Sequence, residues 1–262
     1  MNRINRLFKQ KQENILSIFF TAGYPELEST NQVLKALMSH EVDLVEVGIP
    51  FSDPLADGKT IRNASHQALS NGMSLTKLFE QLQSCRTYTD KPILLMGYLN
   101  PILNMGVETF CEHCVQAGVD GLIIPDLPFE IYLDNYSFIE KRYNLKFIPL
   151  LTPETDPERI RFIDQHTDAF HYLVSSNAIT GEKNSFENQE EYFKRIKEMN
   201  LKNPHLIGFG ISNYLTSSTA LKHASGVIVG SKFMNLLSAR KDPSKAIQEL
   251  IATLSTPNCN IK

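Results

Sequence analysis

The sequence predicts an α/β protein built as a single (β/α)8 TIM barrel with a short N-terminal helix. Three observations predict it. Eight short apolar runs, rich in β-branched and aromatic residues, alternate with longer segments of helical periodicity. The runs are apolar throughout, the pattern of strands covered on both faces in a parallel sheet. Eight such units also fill 262 residues, an ordinary length for one barrel.

The elements follow in order. Met1-Asn2-Arg3-Ile4-Asn5-Arg6-Leu7-Phe8-Lys9 places Ile4, Leu7 and Phe8 at i, i+3 and i+4, which predicts an amphipathic helix covering something apolar. Strand 15–21 leads to a helix over 28–39, and strand 43–47 leads through a long loop to a helix over 75–85. Strand 92–96 is followed by helix 107–117, strand 121–124 by 131–143, and strand 146–150 by 157–165. Strand 170–174 precedes helix 189–199, strand 205–208 precedes 214–222, and strand 226–229 precedes 243–254. An open doubly wound sheet would share the alternation, but no G-x-G-x-x-G follows the first strand. No linker or low-complexity segment breaks the pattern, so one domain is expected over residues 1–262.

The hydrophobic content of 42% is enough for a large core. A net charge of −3 gives no global reason to expect nucleic acid or an anionic membrane as partner. Any phosphate must therefore be recognised locally, by a particular loop. No stretch approaches the roughly eighteen apolar residues of a membrane helix. The basic N-terminus lacks the apolar run and cleavage site of a signal peptide, so a cytoplasmic protein is expected. Cys111-Glu112-His113-Cys114 has the C-x-x-C form. A structural zinc site would need a second paired motif, which is missing, and i, i+3 on a helix suits two core-facing thiols; no metal site is expected.

Barrel active sites lie at the C-terminal ends of the strands. Glu46 stands out there, because it interrupts Val42-Asp43-Leu44-Val45-Glu46-Val47 in a strand that should be buried. A lone buried carboxylate is unfavourable by several kcal/mol unless paired or protonated. Desolvation raises its pKa, which suits a group that carries a proton and gives it up. The competing reading is a structural Glu bonded to a neighbouring strand. Asp43 falls on the opposite strand face, nearer the N-terminal end, and reads as structural. Asp57, in the long loop beyond, has two open readings: a carboxylate presented to a ring N–H, or the N-cap of a helix beginning at Lys59. Gly208-Phe209-Gly210-Ile211-Ser212 and Val229-Gly230-Ser231 close the seventh and eighth strands. Loops there recurrently hold phosphate, although glycines also serve tight turns.

Val45-Glu46-Val47-Gly48-Ile49-Pro50-Phe51-Ser52-Asp53-Pro54-Leu55-Ala56-Asp57-Gly58 closely resembles the signature stretch of the tryptophan synthase α-chain family. Further landmarks of that family appear in order. They are Thr21-Ala22-Gly23-Tyr24-Pro25, Leu95-Met96-Gly97-Tyr98-Leu99-Asn100-Pro101-Ile102, Pro125-Asp126-Leu127-Pro128, Thr180-Gly181 and the two glycine loops. The resemblance implies that Glu46 is the general acid/base and Asp57 the second catalytic carboxylate. It implies that Tyr172 lies beside the Glu, and that Thr180, Gly181, Gly210, Ile211, Gly230 and Ser231 hold the glycerol phosphate. Phe19, Met96, Ile123 and Phe209 become the apolar walls around an indole ring.

By the same resemblance the activity is retro-aldol cleavage of indole-3-glycerol phosphate, with no cofactor in this chain. The implied partner is the β subunit of tryptophan synthase, in an αββα assembly with pyridoxal phosphate on the β subunit. Asp53, Pro54 and Lys59 would face that partner. Two departures from the family pattern stand out: Ala178 where glycine is common, and Lys59 and Arg62 where proline and glutamine are usual. A stand-alone indole-producing lyase would share the carboxylates and differ at the partner-facing surface. A non-catalytic activator of a β subunit would have no need of a buried Glu46.

Overall fold

A computed structural model of the chain describes residues 1–174, 186–208 and 210–256. Its strands are β1 (Ile15–Thr21), β2 (Leu44–Gly48), β3 (Ile93–Met96), β4 (Gly121–Ile123), β5 (Lys146–Phe147), β6 (Leu150–Leu151), β7 (His171–Val174), β8 (His205–Gly208) and β9 (Gly226–Val229). All pair in parallel, in the order β5-β4-β3-β2-β1-β9-β8-β7-β6. The two ends of that order, β5 and β6, are consecutive in the chain and together form the fifth predicted strand. Pro149 separates them, since it has no N–H to give to a ladder. The closure is still hydrogen-bonded: Ile148 N–H donates to Leu122 O at 2.9 Å and Tyr172 N–H to Pro149 O at 3.0 Å. The sheet is therefore a barrel, as expected.

Strand alternation divides the core in two. Ile15, Leu44, Leu94, Ile123, Ile148, Leu206 and Ile228 point inward and pack together. Outward residues such as Ile18, Val45, Val47, Leu95, Leu122, Leu173 and Val227 pack under the helices. The first helix, Arg3–Gln10, plugs the N-terminal mouth, and its Ile4 is fully buried against the interior cluster. Asn2 fixes it there, donating to Asp120 O at 2.9 Å and Asn144 O at 2.7 Å. Asp43 is structural at the same end, with its Oδ2 accepting from Leu16 N at 2.8 Å and Lys11 Nζ at 2.7 Å. Cys85, Cys111 and Cys114 are free and buried, and no helix among the described residues is long and apolar enough to cross a membrane.

Three helices go beyond the periodic segments: Lys59–Ser70, whose start at Lys59 entered only as one reading of Asp57, Leu99–Met105 and Ser231–Arg240. The first buries Ile61, Ala64, Ser65 and Ala68. Those are at helical spacing, but small side chains make a faint apolar stripe. The last starts one residue after β9, so Gly230-Ser231 read as loop although Phe233, Met234, Leu236 and Leu237 are its buried face. The helix expected over 131–143 is two, Phe129–Tyr136 and Phe138–Tyr143, meeting at Ser137.

Candidate active site

Glu46 lies on the inward face of β2, beside Phe19 of β1 and Leu94 of β3 in register, and is wholly buried. Ser17 Oγ, inward on β1, donates to its Oε1 at 2.6 Å. Its Oε2 is buried without a hydrogen-bond partner among the described residues. Burial pushes the carboxyl from 4.5 up to about 7, against the opposing pull of the Ser17 hydroxyl. No cation among the described residues offsets that desolvation, so the group sits where it can be held in either protonation state near neutrality.

Asp57 reaches the same region from the loop after β2. Its Oδ2 accepts from Tyr98 Oη at 3.1 Å. Burial raises this carboxyl to about 6, while the Tyr98 bond and the charge of Arg62 act to lower it. The helix that follows begins at Lys59 with Gly58 as N-cap and no side-chain cap. Asp57 is thus directed at the cleft rather than at the helix start. In the same loop Asp53 and Lys59 are exposed, as a partner-facing reading requires, but Pro54 is buried. Leu55 beside it is 88% exposed.

Tyr172, inward on β7, is buried, and its hydroxyl pKa is raised first by that burial and then by the charges of Glu46 and Asp57. It lies within electrostatic reach of both carboxylates and lines the same cavity as Asp57. A Cβ on Gly208 would come 2.3 Å from Tyr172 Oη, so only glycine lets the phenol lie across β8. A cavity of about 380 Å3 opens above these groups, lined by Phe19, Asp57, Met96, Tyr172, Gly210, Ile211, Gly230 and Ser231 among others. A second of about 650 Å3 shares Asp57, Met96 and Tyr172 and runs on past Ile124, Phe147 and Leu150.

Eight residues named from sequence are thus brought to one cavity, with Glu46 beneath it. Ile123 sits in register with Met96 inside the barrel cluster, and the residue after β4, Ile124, lines the larger cavity. Thr180, Gly181 and Phe209, with the Ala178 departure, lie outside the described residues. Sequence reasoning missed Ser17, Tyr98, Lys232 and Asn235. Ser17 carried the same signal as Glu46, a lone polar residue in an apolar strand. Lys232 and Asn235 line the smaller cavity from the helix whose start was read as loop.

That helix begins at Ser231 with Gly230 as N-cap and no side-chain cap, and its first turn borders the cavity. Gly210, opposite, has φ +75 and open space where a Cβ would be. A Cβ on Gly230 would meet the Phe19 ring at 3.4 Å, already van der Waals contact. Gly230→Leu should therefore crowd this rim and raise KM for a phosphorylated substrate about tenfold or more, with a smaller effect on kcat. Steady-state kinetics check it, and an unchanged KM removes the rim from substrate binding.

Fold and site together define a (β/α)8 barrel with two buried carboxyls of raised pKa toward the C-terminal ends of its strands and a glycine-rich rim. The tryptophan synthase alpha chain family model matches residues 6–260. The tryptophan synthase alpha chain of Bacteroides thetaiotaomicron is 55% identical over 251 residues, 95% of this chain and 98% of its own. That of Bacteroides fragilis is 52% identical over the whole of both chains. A crystal structure of the Legionella pneumophila alpha chain superposes with TM-score 0.86 at 32% identity, covering 97% of this chain and 96% of that one. A chain of the tryptophan synthase complex from Pyrococcus furiosus does so with TM-score 0.83 at 33% identity, covering 93% and 98%. The chain belongs to the tryptophan synthase alpha chain family, and its role is enzymatic, in tryptophan synthesis.

Proposed function

We propose that this chain is a carbon–carbon lyase that splits indole-3-glycerol phosphate into indole and glyceraldehyde 3-phosphate. The observation carrying the proposal is a pair of buried, raised-pKa carboxylates, Asp57 lining the cavity together with Tyr172 and Glu46 on the inward face of β2 beside the cavity-lining Phe19. Protonated Glu46 gives its proton to indole C3, forming an indolenine. Asp57, as carboxylate, accepts the ring N–H and stabilises the positive charge that develops there. Glu46 then takes the proton from the hydroxyl on the side-chain carbon attached to C3. The bond from C3 to that carbon breaks, its electron pair restores the aromatic ring, and the hydroxyl oxygen becomes the aldehyde carbonyl. One proton leaves Glu46 and one returns, so the cycle balances without a cofactor.

The uncapped start of helix Ser231–Arg240, with Gly210 opposite, supports placing the phosphate on that rim, where backbone N–H groups attract an anion. The proposed partner is a β subunit carrying pyridoxal phosphate, in an αββα tetramer. Exposed Asp53, Leu55 and Lys59 on the loop beside the cleft support that face as the contact. Lys59 and Arg62 would then set which β subunit fits.

Indole release by the purified chain from indole-3-glycerol phosphate, with and without a cognate β subunit, tests the reading. Slow release alone and a large increase with the β subunit are expected. Rapid release indifferent to β would identify a stand-alone lyase, and none in either condition would leave an activator. In the free chain kcat/KM should be bell-shaped. Asp57 must be ionised, so activity falls as pH drops through about 6; Glu46 must start protonated, so it falls again as pH rises through about 7.

A further inference from the structure

Tyr98 follows β3, at the mouth of the barrel, and its hydroxyl joins two points of the neighbouring loop. It donates to Asp57 Oδ2 at 3.1 Å and accepts from Ala56 N at 3.0 Å. Its ring packs on Phe51, with centroids 5.3 Å apart. The next residue, Leu99, gives its backbone N–H to both carboxylate oxygens of Asp126, at 2.9 and 3.2 Å. The phenol is therefore held by the loop after β2 and the backbone beside it by the loop after β4, and one hydroxyl sets both the side chain of Asp57 and the backbone just before it.

We propose that Tyr98 is a positioning residue for the cleavage reaction, occupying Asp57 Oδ2 so that Oδ1 is left aimed to accept the substrate's ring N–H. The inference rests on the role given to Asp57 above. A carboxylate tethered at one oxygen has lost the rotation about Cβ–Cγ that would otherwise be frozen only as substrate binds. The tether persists across the working range, because burial and the charge of Asp57 push the phenol's own pKa up. Among the described residues three other ionisable side chains bear on the pair: Arg62, which lowers the Asp57 pKa; Tyr172, which lines the same cavity as Asp57; and Asp126, which raises Tyr98.

Tyr98→Phe keeps the ring on Phe51 and removes only the hydroxyl. In the full chain kcat for indole release should fall about ten- to a hundredfold, the usual effect of losing a hydrogen bond to a charged group, with KM within about twofold. The acid limb of kcat/KM should move to higher pH, since a donor to the ionised form has gone. Unchanged kcat and limb, or a rise in KM alone, would overturn the proposal. Should the Phe chain fail to fold, 3-fluorotyrosine at position 98 answers instead: a more acidic phenol is a stronger donor and should move the limb to lower pH, and an unmoved limb overturns it. An active parent with an inactive Asp57→Asn and an unaffected Tyr98→Phe strikes this inference alone. An inactive parent strikes the cleavage reading, and this one with it.

Discussion

Glu46→Gln should produce a chain that no longer releases indole and is harder to unfold. The activity loss should be about 10²–10⁴-fold, the range for removing a positioned acid/base, with affinity for the phosphorylated substrate nearly intact. The stability gain comes from the same burial that raises the pKa. A carboxyl raised from 4.5 to about 7 on folding contributes stability below pH 4.5, which is lost as pH rises to 7. Above that the buried charge destabilises the fold by about 3 kcal/mol. The neutral amide avoids this while still accepting from Ser17. At pH 8 the variant should melt roughly 5–10 °C higher, and at pH 4 the difference should vanish. A variant with near-normal turnover would remove Glu46 as acid/base, and one destabilised at pH 8 would remove the desolvation account.

Asp57→Asn should lose about 10²–10³-fold in kcat, because an amide cannot answer the charge developing at the ring nitrogen. At pH 8 its thermal midpoint should rise by a few degrees, because burial raises this carboxyl from 3.8 to about 6 and the amide carries no charge to desolvate. Asparagine caps a helix as well as aspartate, whereas alanine in such a place loses about 1 kcal/mol; here the cap is Gly58 and the Asp57 side chain takes no part in it, so Asp57→Ala should melt with Asp57→Asn. Kinetics of Asp57→Asn and calorimetry of both variants therefore separate the two readings that the sequence left open. Full activity in Asp57→Asn with Asp57→Ala melting below it would restore the cap.

The strand pattern was legible because burial on both faces leaves little room for polar residues. For the same reason Glu46 was conspicuous, and Ser17 would have been if read by that rule. What escaped was set by neighbours distant in sequence. Ile61, Ala64, Ser65 and Ala68 form a helix face whose small side chains become meaningful only against the barrel wall. Pro54 turns inward and leaves Leu55 outside, a choice made by the fold of the whole loop. Tyr98 stood in a recognised stretch, yet nothing in its spacing ties it to Asp57, forty-one residues earlier. The division between Ile123 and Ile124 depends on a single step of strand register.

The N-terminal helix has a bearing on traffic through the molecule. Ile4 stoppers the lower mouth, and above it Ile15, Leu44, Leu94, Ile123, Ile148 and Leu206 fill the bore side to side. Among the described residues, the bore is filled below Glu46 and hollow only above it. A small apolar molecule freed above Glu46 has no way down and must depart through the rim of loops, past Leu55 or along the hollow toward Phe147. Whatever rests against that rim decides whether the molecule escapes to water or is handed on.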